Sequence, residues 1–131
     1  MKKLSLFALL TMITLTIFSC KKIEGPGGSS SITGIIHAEV YDAAGNLLYD
    51  YNVAKEDVFI IYGDEESTFD DKTKTSFDGS FKFDYLEKGN YQVFVYEKDN
   101  NVPGGKVVKL IDVEITKKKS TVELGTITIK K

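Results

Sequence analysis

The stretch TKTSFDGSFKFDYLEKGNYQVFVY, residues 73–96, decides the fold. Apolar and polar residues alternate in it twice: a first run carries Phe81 and Phe83 on one face, and a second run carries Tyr91 and Val93. Strict alternation over several residues is typical of a β-strand with one buried face. The stretch therefore predicts two strands. A shift of one residue would turn every apolar side chain outward, so the alternation also fixes the register of each strand.

The dipeptide Asp78-Gly79 lies just before the first of these runs. Glycine tolerates a positive φ angle, so this pair is a common signal for a hairpin turn. A three-residue loop ending at Gly79 would place Thr75 opposite Phe81, whereas a two-residue loop would place Lys74 there. The first register buries only a threonine methyl group, and we expect that hairpin.

The rest of the body also has the pattern of an all-β protein. Alternating or continuously apolar runs recur between polar turns, and no window beyond the first twenty residues has a convincing helical period. We predict one antiparallel β-sandwich of about seven strands covering residues 32–131. The further predicted strands lie in residues 32–42, 46–53, 57–63, 106–116 and 120–130.

The same stretch carries a spaced motif, T-x-x-x-G-x-F-x-F-x-x-L-x-x-G-x-Y-x-V, with Asp78 in its turn. This motif resembles the hallmark of carboxypeptidase regulatory-like domains. The resemblance implies a prealbumin-like (transthyretin-like) sandwich, and its motif residues imply core and turn positions without catalytic roles. A tyrosine after a corner glycine could also hydrogen-bond to the upstream backbone, as in tyrosine corners. The motif positions are Thr75, Gly79, Phe81, Phe83, Leu86, Gly89, Tyr91 and Val93.

Residues 1–19 have the layout of a signal peptide. Lys2 and Lys3 precede an uncharged, mostly apolar run over residues 4–18. A membrane-spanning helix needs about 20 apolar residues, so this run is short for one. We expect the leader to be cleaved and the chain to be exported.

The sole cysteine follows this leader directly. The run Ile17-Phe18-Ser19-Cys20 resembles the bacterial lipobox, in which the cysteine is lipidated and becomes the new N-terminus. The alternative is an ordinary signal peptide that ends near Ser19 and leaves a free thiol. A single unpaired cysteine in an exported chain argues for lipidation, because a free thiol is reactive. We predict a palmitate-type anchor at Cys20.

Residues 20–31 contain the Gly/Pro/Ser-rich run KKIEGPGGSSS after the cysteine. Such a composition is typical of a flexible linker between an anchor and a folded body. Lys21 next to Cys20 resembles a sorting signal for the outer membrane of two-membrane bacteria. We therefore predict a protein anchored by lipid at the bacterial outer membrane or cell surface.

Charge excludes one class of partner. After removal of residues 1–19 the chain has fifteen lysines, no arginine and nineteen acidic residues. Nucleic-acid recognition needs a basic stripe, and base readout favours arginine. We predict no nucleic-acid partner.

The residue inventory also argues against an enzyme. Nucleophilic catalysis needs a nucleophile, a base and an orienting group, but His37 is the only histidine and lies on the polar face of the first strand. The related transthyretin-like hydrolases use several histidines and an arginine, which this chain lacks. We predict no enzymatic activity, no cofactor and no histidine- or cysteine-based zinc site.

Calcium is harder to dismiss than zinc, because carboxylate oxygens are its usual ligands. Acidic residues crowd one loop, although without the ligand spacing of a loop built around one ion. These residues are calcium candidates, and the alternative is a solvated loop. They are Asp64, Glu65, Asp70 and Asp71.

The predicted function is a membrane-anchored spacer, adhesion module or accessory binding module. Phe94, Tyr96 and Tyr41 fall on outward faces and would offer a binding surface if they cluster, unless a loop or a neighbouring strand covers them. Partners are then the membrane, through the lipid, and a glycan or a surface protein. A glycan- or calcium-binding module and a pilus-associated subunit awaiting a donor strand are the alternatives.

Overall fold

The computed structural model describes residues 23–64 and 68–131, and they form an all-β sandwich. The predicted fold class is confirmed, with eight strands rather than about seven. No helix in this part of the chain is long and apolar enough to cross a membrane. The strands are β1 (Pro26–Tyr41), β2 (Leu47–Asn52), β3 (Asp57–Tyr62), β4 (Asp71–Lys74), β5 (Ser80–Leu86), β6 (Gly89–Lys98), β7 (Lys106–Ile115) and β8 (Thr121–Lys130).

Two four-stranded sheets make up the sandwich. In the first, the long strand β1 pairs with β5 and then β2 along one edge and with β8 along the other. In the second, the order is β4-β3-β6-β7. All pairs are antiparallel except β1 and β8, the first and last strands, which run parallel.

The core lies between the sheets and is built from the alternating positions that the sequence predicts. Val58 and Ile60 of β3 and Val93 and Val95 of β6 are fully buried, and Ile36 of β1 faces them from the other sheet. Burying one such side chain stabilises the fold by roughly 1.5 to 3 kcal/mol. The core also includes Ile32, Ala38, Phe81, Phe83, Leu86, Tyr91, Val113, Ile115, Ile127 and Ile129.

The predicted hairpin at Asp78-Gly79 is wrong. The turn itself forms, with Gly79 at a φ of 82° and its N–H donating to the Ser76 carbonyl. However, β4 pairs with β3 and β5 pairs with β1, so the chain crosses between sheets at this turn. Thr75 therefore does not pair with Phe81, and its hydroxyl instead donates to the Val53 carbonyl and accepts from the Glu56 N–H.

The predicted linker over residues 20–31 is also too long, since β1 begins at Pro26. Ser30 and Ser31 are buried and bind the corner between β7 and β8. The Ser30 hydroxyl donates to the Lys117 carbonyl over 2.9 Å, and the Ser31 hydroxyl lies 2.9 Å from that of Thr121. The folded body accordingly includes most of the Gly/Ser-rich run.

Candidate functional site

The outer face of the β4-β3-β6-β7 sheet is apolar, which is unusual for a surface that faces water. In β3, Val58 and Ile60 face the core while Phe59 points to the outer side. The apolar face, as we call it, comprises Phe59, Ile61, Phe69, Phe94, Tyr96, Val108 and Leu110.

Four aromatic rings form the centre of the apolar face. The Phe59 and Phe94 rings stack with centroids 4.8 Å apart and planes 12° apart. Phe69 packs on Phe59 at 4.8 Å, and Tyr96 meets both central rings edge-on at 5.6 and 5.8 Å. The outer pair shields the inner pair, so Phe59 and Phe94 are buried whereas Phe69 and Tyr96 are 43% and 44% exposed.

Strand β7 extends this surface to the edge of the sheet. Leu110 lies opposite Phe94 in the register, and Val108 lies opposite Tyr96. The two aliphatic side chains are 49% and 50% exposed. Apolar contact area thus continues across three adjacent strands.

Polar pairs border the apolar face. Lys74 donates to the Asp57 carboxylate over 2.8 Å on the β4 side. That hydrogen bond holds the pKa of Asp57 below its ordinary value. Toward β7, the Gln92 amide donates to Asp112 over 3.0 Å. An apolar centre with a polar rim is the usual layout of a protein-binding surface.

The structure brings together only part of the predicted surface. Phe94 and Tyr96 are neighbours, but Tyr41 belongs to the other sheet, where its hydroxyl donates to Glu39 over 2.6 Å. Phe69, from the acidic loop, and Leu110 were not predicted. The run DVFIIY, apolar on both faces, was the one signal that β3 has an apolar outer face.

The motif residues occupy core and corner positions. Phe81, Phe83, Leu86 and Val93 are buried, and Gly89 has a φ of 146° at the start of β6. The Asp78 carboxylate accepts from the Ser80 N–H and hydroxyl, and these hydrogen bonds lower its pKa.

The Tyr91 hydroxyl is buried at the end of the sandwich where β1 begins. It donates to the Glu87 carbonyl over 2.7 Å and accepts from the Gly25 N–H over 2.9 Å. The predicted hydrogen bond to upstream backbone is therefore present. Burial raises the pKa of Tyr91 above its ordinary value.

The calcium candidates do not gather into a site in the part of the chain that is described. The Asp70 carboxylate accepts from the Tyr62 N–H over 2.7 Å, and Asp71 accepts from the Lys72 N–H over 2.8 Å. Among residues 23–64 and 68–131, no three acidic, histidine or cysteine side chains come close enough to hold a metal ion. Glu65 and the predicted lipidation site Cys20 lie outside these ranges.

His37 lies on the outer face of β1, as the alternation predicts. One ring nitrogen, Nδ1, is 2.8 Å from the Asn52 amide oxygen, and the other, Nε2, is 3.1 Å from the Asp50 carboxylate. Both nitrogens are therefore occupied by neighbouring side chains of β2.

Comparison with known proteins gives distant likenesses only. No protein-family model and no curated protein match the chain. A candidate carbohydrate-binding protein from Pseudomonas aeruginosa is 12% identical, with 86% of this chain and 92% of that chain covered and a TM-score of 0.46. An (S)-allantoin synthase is 10% identical over 79% of this chain and 42% of that chain, with a TM-score of 0.37. Both are too distant to assign a function.

Proposed function

We propose that the chain is an exported, lipid-anchored accessory module that docks a surface protein through its apolar face and works without catalysis. The signal-peptide layout of residues 1–19 and the lipobox-like run at Cys20 support export and anchoring. They also support placement at a bacterial outer membrane or cell surface. The anchor is a diacyl or triacyl group at Cys20, since two chains hold a protein stably where one does not.

The observation that carries the docking role is the apolar face itself. Phe69, Tyr96, Val108 and Leu110 are each between 43% and 50% exposed. Val108 lies opposite Tyr96 and Leu110 opposite Phe94 in the β6-β7 register, and Phe69 packs on Phe59 beside them. Soluble monomers rarely expose contiguous apolar patches of this kind unless a partner covers them. The rigid sheet beneath holds the side chains in place, which lowers the entropy lost on binding.

A protein partner fits this surface better than a sugar. Sugar rings stack on open aromatic faces beside hydrogen-bonding groups, but the Phe59 and Phe94 faces cover each other. Aliphatic side chains, Val108 and Leu110, supply the exposed area beside them. A glycan is the second candidate, because the rings of Phe69 and Tyr96 are partly open.

The absence of catalysis is part of the proposal. It is supported by His37, whose two ring nitrogens contact Asn52 and Asp50 on an outer face. A general base needs a free nitrogen within reach of the proton that it removes.

The pilus-subunit alternative concerns strand edges rather than the apolar face. Within the described residues, β7 pairs only with β6 and β8 only with β1, so each has one open edge. Lys109 of β7 donates to the Thr128 carbonyl of β8 over 2.5 Å. A lysine held against an edge strand hinders addition of a further strand there, which disfavours a donor strand between β7 and β8.

The docking role is tested with a photo-crosslinking residue at Leu110 and, as a control, at Glu123, an exposed position in β8 of the other sheet. We expect a defined surface protein to crosslink at Leu110 only, in cells that export the chain. Tyr96→Glu should weaken its binding to the purified partner by roughly thirtyfold, the effect of losing one interface hot spot.

Equal crosslinking at both positions, or affinity that survives Tyr96→Glu, would overturn the docking role. Binding to a glycan array that disappears in Tyr96→Ala would assign the same face to a sugar.

A further inference from the structure

The end of the sandwich where β1 begins is tied to the chain that leads to Cys20. The Gly25 N–H donates to Tyr91 and the Gly25 carbonyl accepts from the Glu87 N–H over 2.9 Å, so Gly25 is fixed to the body. Five residues further upstream lies Cys20. A fully extended chain covers at most about 3.6 Å per residue, which limits this connection to about 18 Å.

Exposed lysines cluster at this same end. Lys88 lies in the corner between β5 and β6, and Lys117, Lys118 and Lys119 form the corner between β7 and β8. Lys88 and Lys118 border one cleft beside the first residues of β1. None of the four takes part in an ion pair with another described residue. We call this group the lysine end.

The serines of β1 hold the lysine corner in place. The Lys119 N–H donates to the Ser29 hydroxyl over 3.1 Å, and the Ser30 hydroxyl donates to the Lys117 carbonyl over 2.9 Å. The corner therefore stays beside the strand that continues toward Cys20.

An exposed tyrosine lies next to the lysine end. A bulge in β5 leaves Tyr85 at a φ of 57°, which residues with a Cβ rarely adopt, and its side chain is 73% exposed. It makes no ring contact with a described aromatic residue. Ile23 is also 76% exposed. Tyrosine and lysine together are typical of surfaces that meet the headgroup region of a bilayer.

Carboxylates occupy the other flank of this end. Glu24, Asp64 and Glu114 border a separate cleft on the side of the second sheet. Glu87 is the one carboxylate that borders the cleft with Lys88 and Lys118. Because four lysines outnumber this one carboxylate, the lysine flank is basic, whereas the flank of Glu24, Asp64 and Glu114 is acidic. An anionic surface attracts the first and repels the second, which selects one tilt of the sandwich.

We propose that the lysine end is a docking surface for an anionic phospholipid bilayer, which holds the anchored sandwich in one orientation. This inference rests on the lipid anchor at Cys20 proposed above. The basic flank and Tyr85 lie at the headgroups, while the loop over residues 99–105, at the other end of the ten-residue strand β6, points away. The length of β6 separates the two ends by about 30 Å.

The experiment uses the mature, lipidated chain in vesicles whose lipids carry a nitroxide quencher at the headgroup. A fluorophore is attached at Thr116→Cys, beside the lysine corner, or at Asn101→Cys in the distant loop. We expect strong quenching at position 116 and little at position 101 in vesicles containing phosphatidylglycerol. Quenching at position 116 should fall in pure phosphatidylcholine or at high salt, because the attraction is electrostatic.

A charge-reversed variant and a matched control isolate the lysines. The variant carries Lys88→Glu, Lys117→Glu and Lys118→Glu, and the control carries Lys98→Glu, Lys106→Glu and Lys130→Glu, which change the net charge equally elsewhere. Each lysine near the surface contributes about fivefold to the docking equilibrium, so the variant should lose at least about a hundredfold and the control little. Thermal unfolding of both verifies that they fold.

Equal quenching at the two positions, or equal loss in both variants, would overturn this inference while the anchor stands. Mass spectrometry of the same preparation distinguishes the other failure: an unmodified Cys20 would remove the anchor and the docking surface together.

Discussion

Tyr91 links the core to the strand that begins the domain. Its ring contacts Tyr62 at 5.9 Å inside the sandwich, and its hydroxyl joins the Gly25 N–H to the Glu87 carbonyl. Two backbone segments 62 residues apart, around Gly25 and Glu87, are thereby held by one side chain. Such a hydroxyl satisfies groups that burial would otherwise leave without partners.

Tyr91→Phe should lower the free energy of unfolding by about 1 to 3 kcal/mol, because a buried donor and acceptor each lose their partner. Urea denaturation at neutral pH measures this. Tyr62→Phe serves as the control, since its half-buried ring packs at the same site. An unchanged midpoint for Tyr91→Phe would contradict the role given to the hydroxyl.

The same substitution should change the alkaline behaviour. Burial raises the pKa of Tyr91 in the folded state, so its contribution to stability is complete below its unfolded pKa of about 10 and is lost as the pH rises through the higher folded value. The wild type should therefore lose more stability above pH of about 10 than Tyr91→Phe does.

At the scale of elements, the structure gives the serines of β1 a role that the sequence did not predict. Ser30→Ala removes a buried hydroxyl from the Lys117 carbonyl and should cost about 1 to 2 kcal/mol. Ser29→Ala should cost less, because Ser29 is exposed and its hydroxyl receives only the Lys119 N–H. A Ser30→Ala midpoint in urea equal to that of the wild type would show that the Ser30 hydroxyl does not hold the corner.

The local sequence pattern predicts the strands and their buried faces but not which strands pair with each other. The alternation around Phe81 and Tyr91 correctly predicts which side chains are buried, because that property depends on neighbouring residues alone. Whether β5 pairs with β4 or with β1 depends on contacts about 50 residues away, such as Gly34 opposite Phe81. A Cβ at Gly34 would lie 2.7 Å from the Phe81 ring, so the glycine makes room for that pairing.

The Gly/Ser-rich composition of the N-terminal run also led to a wrong prediction, because strand pairing depends on distant residues. The run GGSSS has no apolar period, yet Ser31 pairs with Thr121 and Ser30 with Leu86 because partners exist in distant strands. The apolar face was predictable in part: Phe94 and Tyr96 were identified from the alternation. Phe69 follows from the position of the loop after β3, which local pattern does not predict.

At the scale of the whole molecule, the surfaces fall into a simple arrangement. The apolar face covers one broad side of the sandwich, and the lysine end lies where the chain leaves for Cys20. A bilayer contact at the lysine end leaves the apolar face on the flank, open to a protein beside it. Anchoring and partner binding then use different parts of one rigid body.

The identity of the mature N-terminus tests this account most directly. Mass spectrometry of the protein isolated from the membranes of cells that make it should find a first residue Cys20 with fatty acyl groups attached. Finding an exported chain with an unmodified N-terminal peptide and a free Cys20 thiol would contradict it.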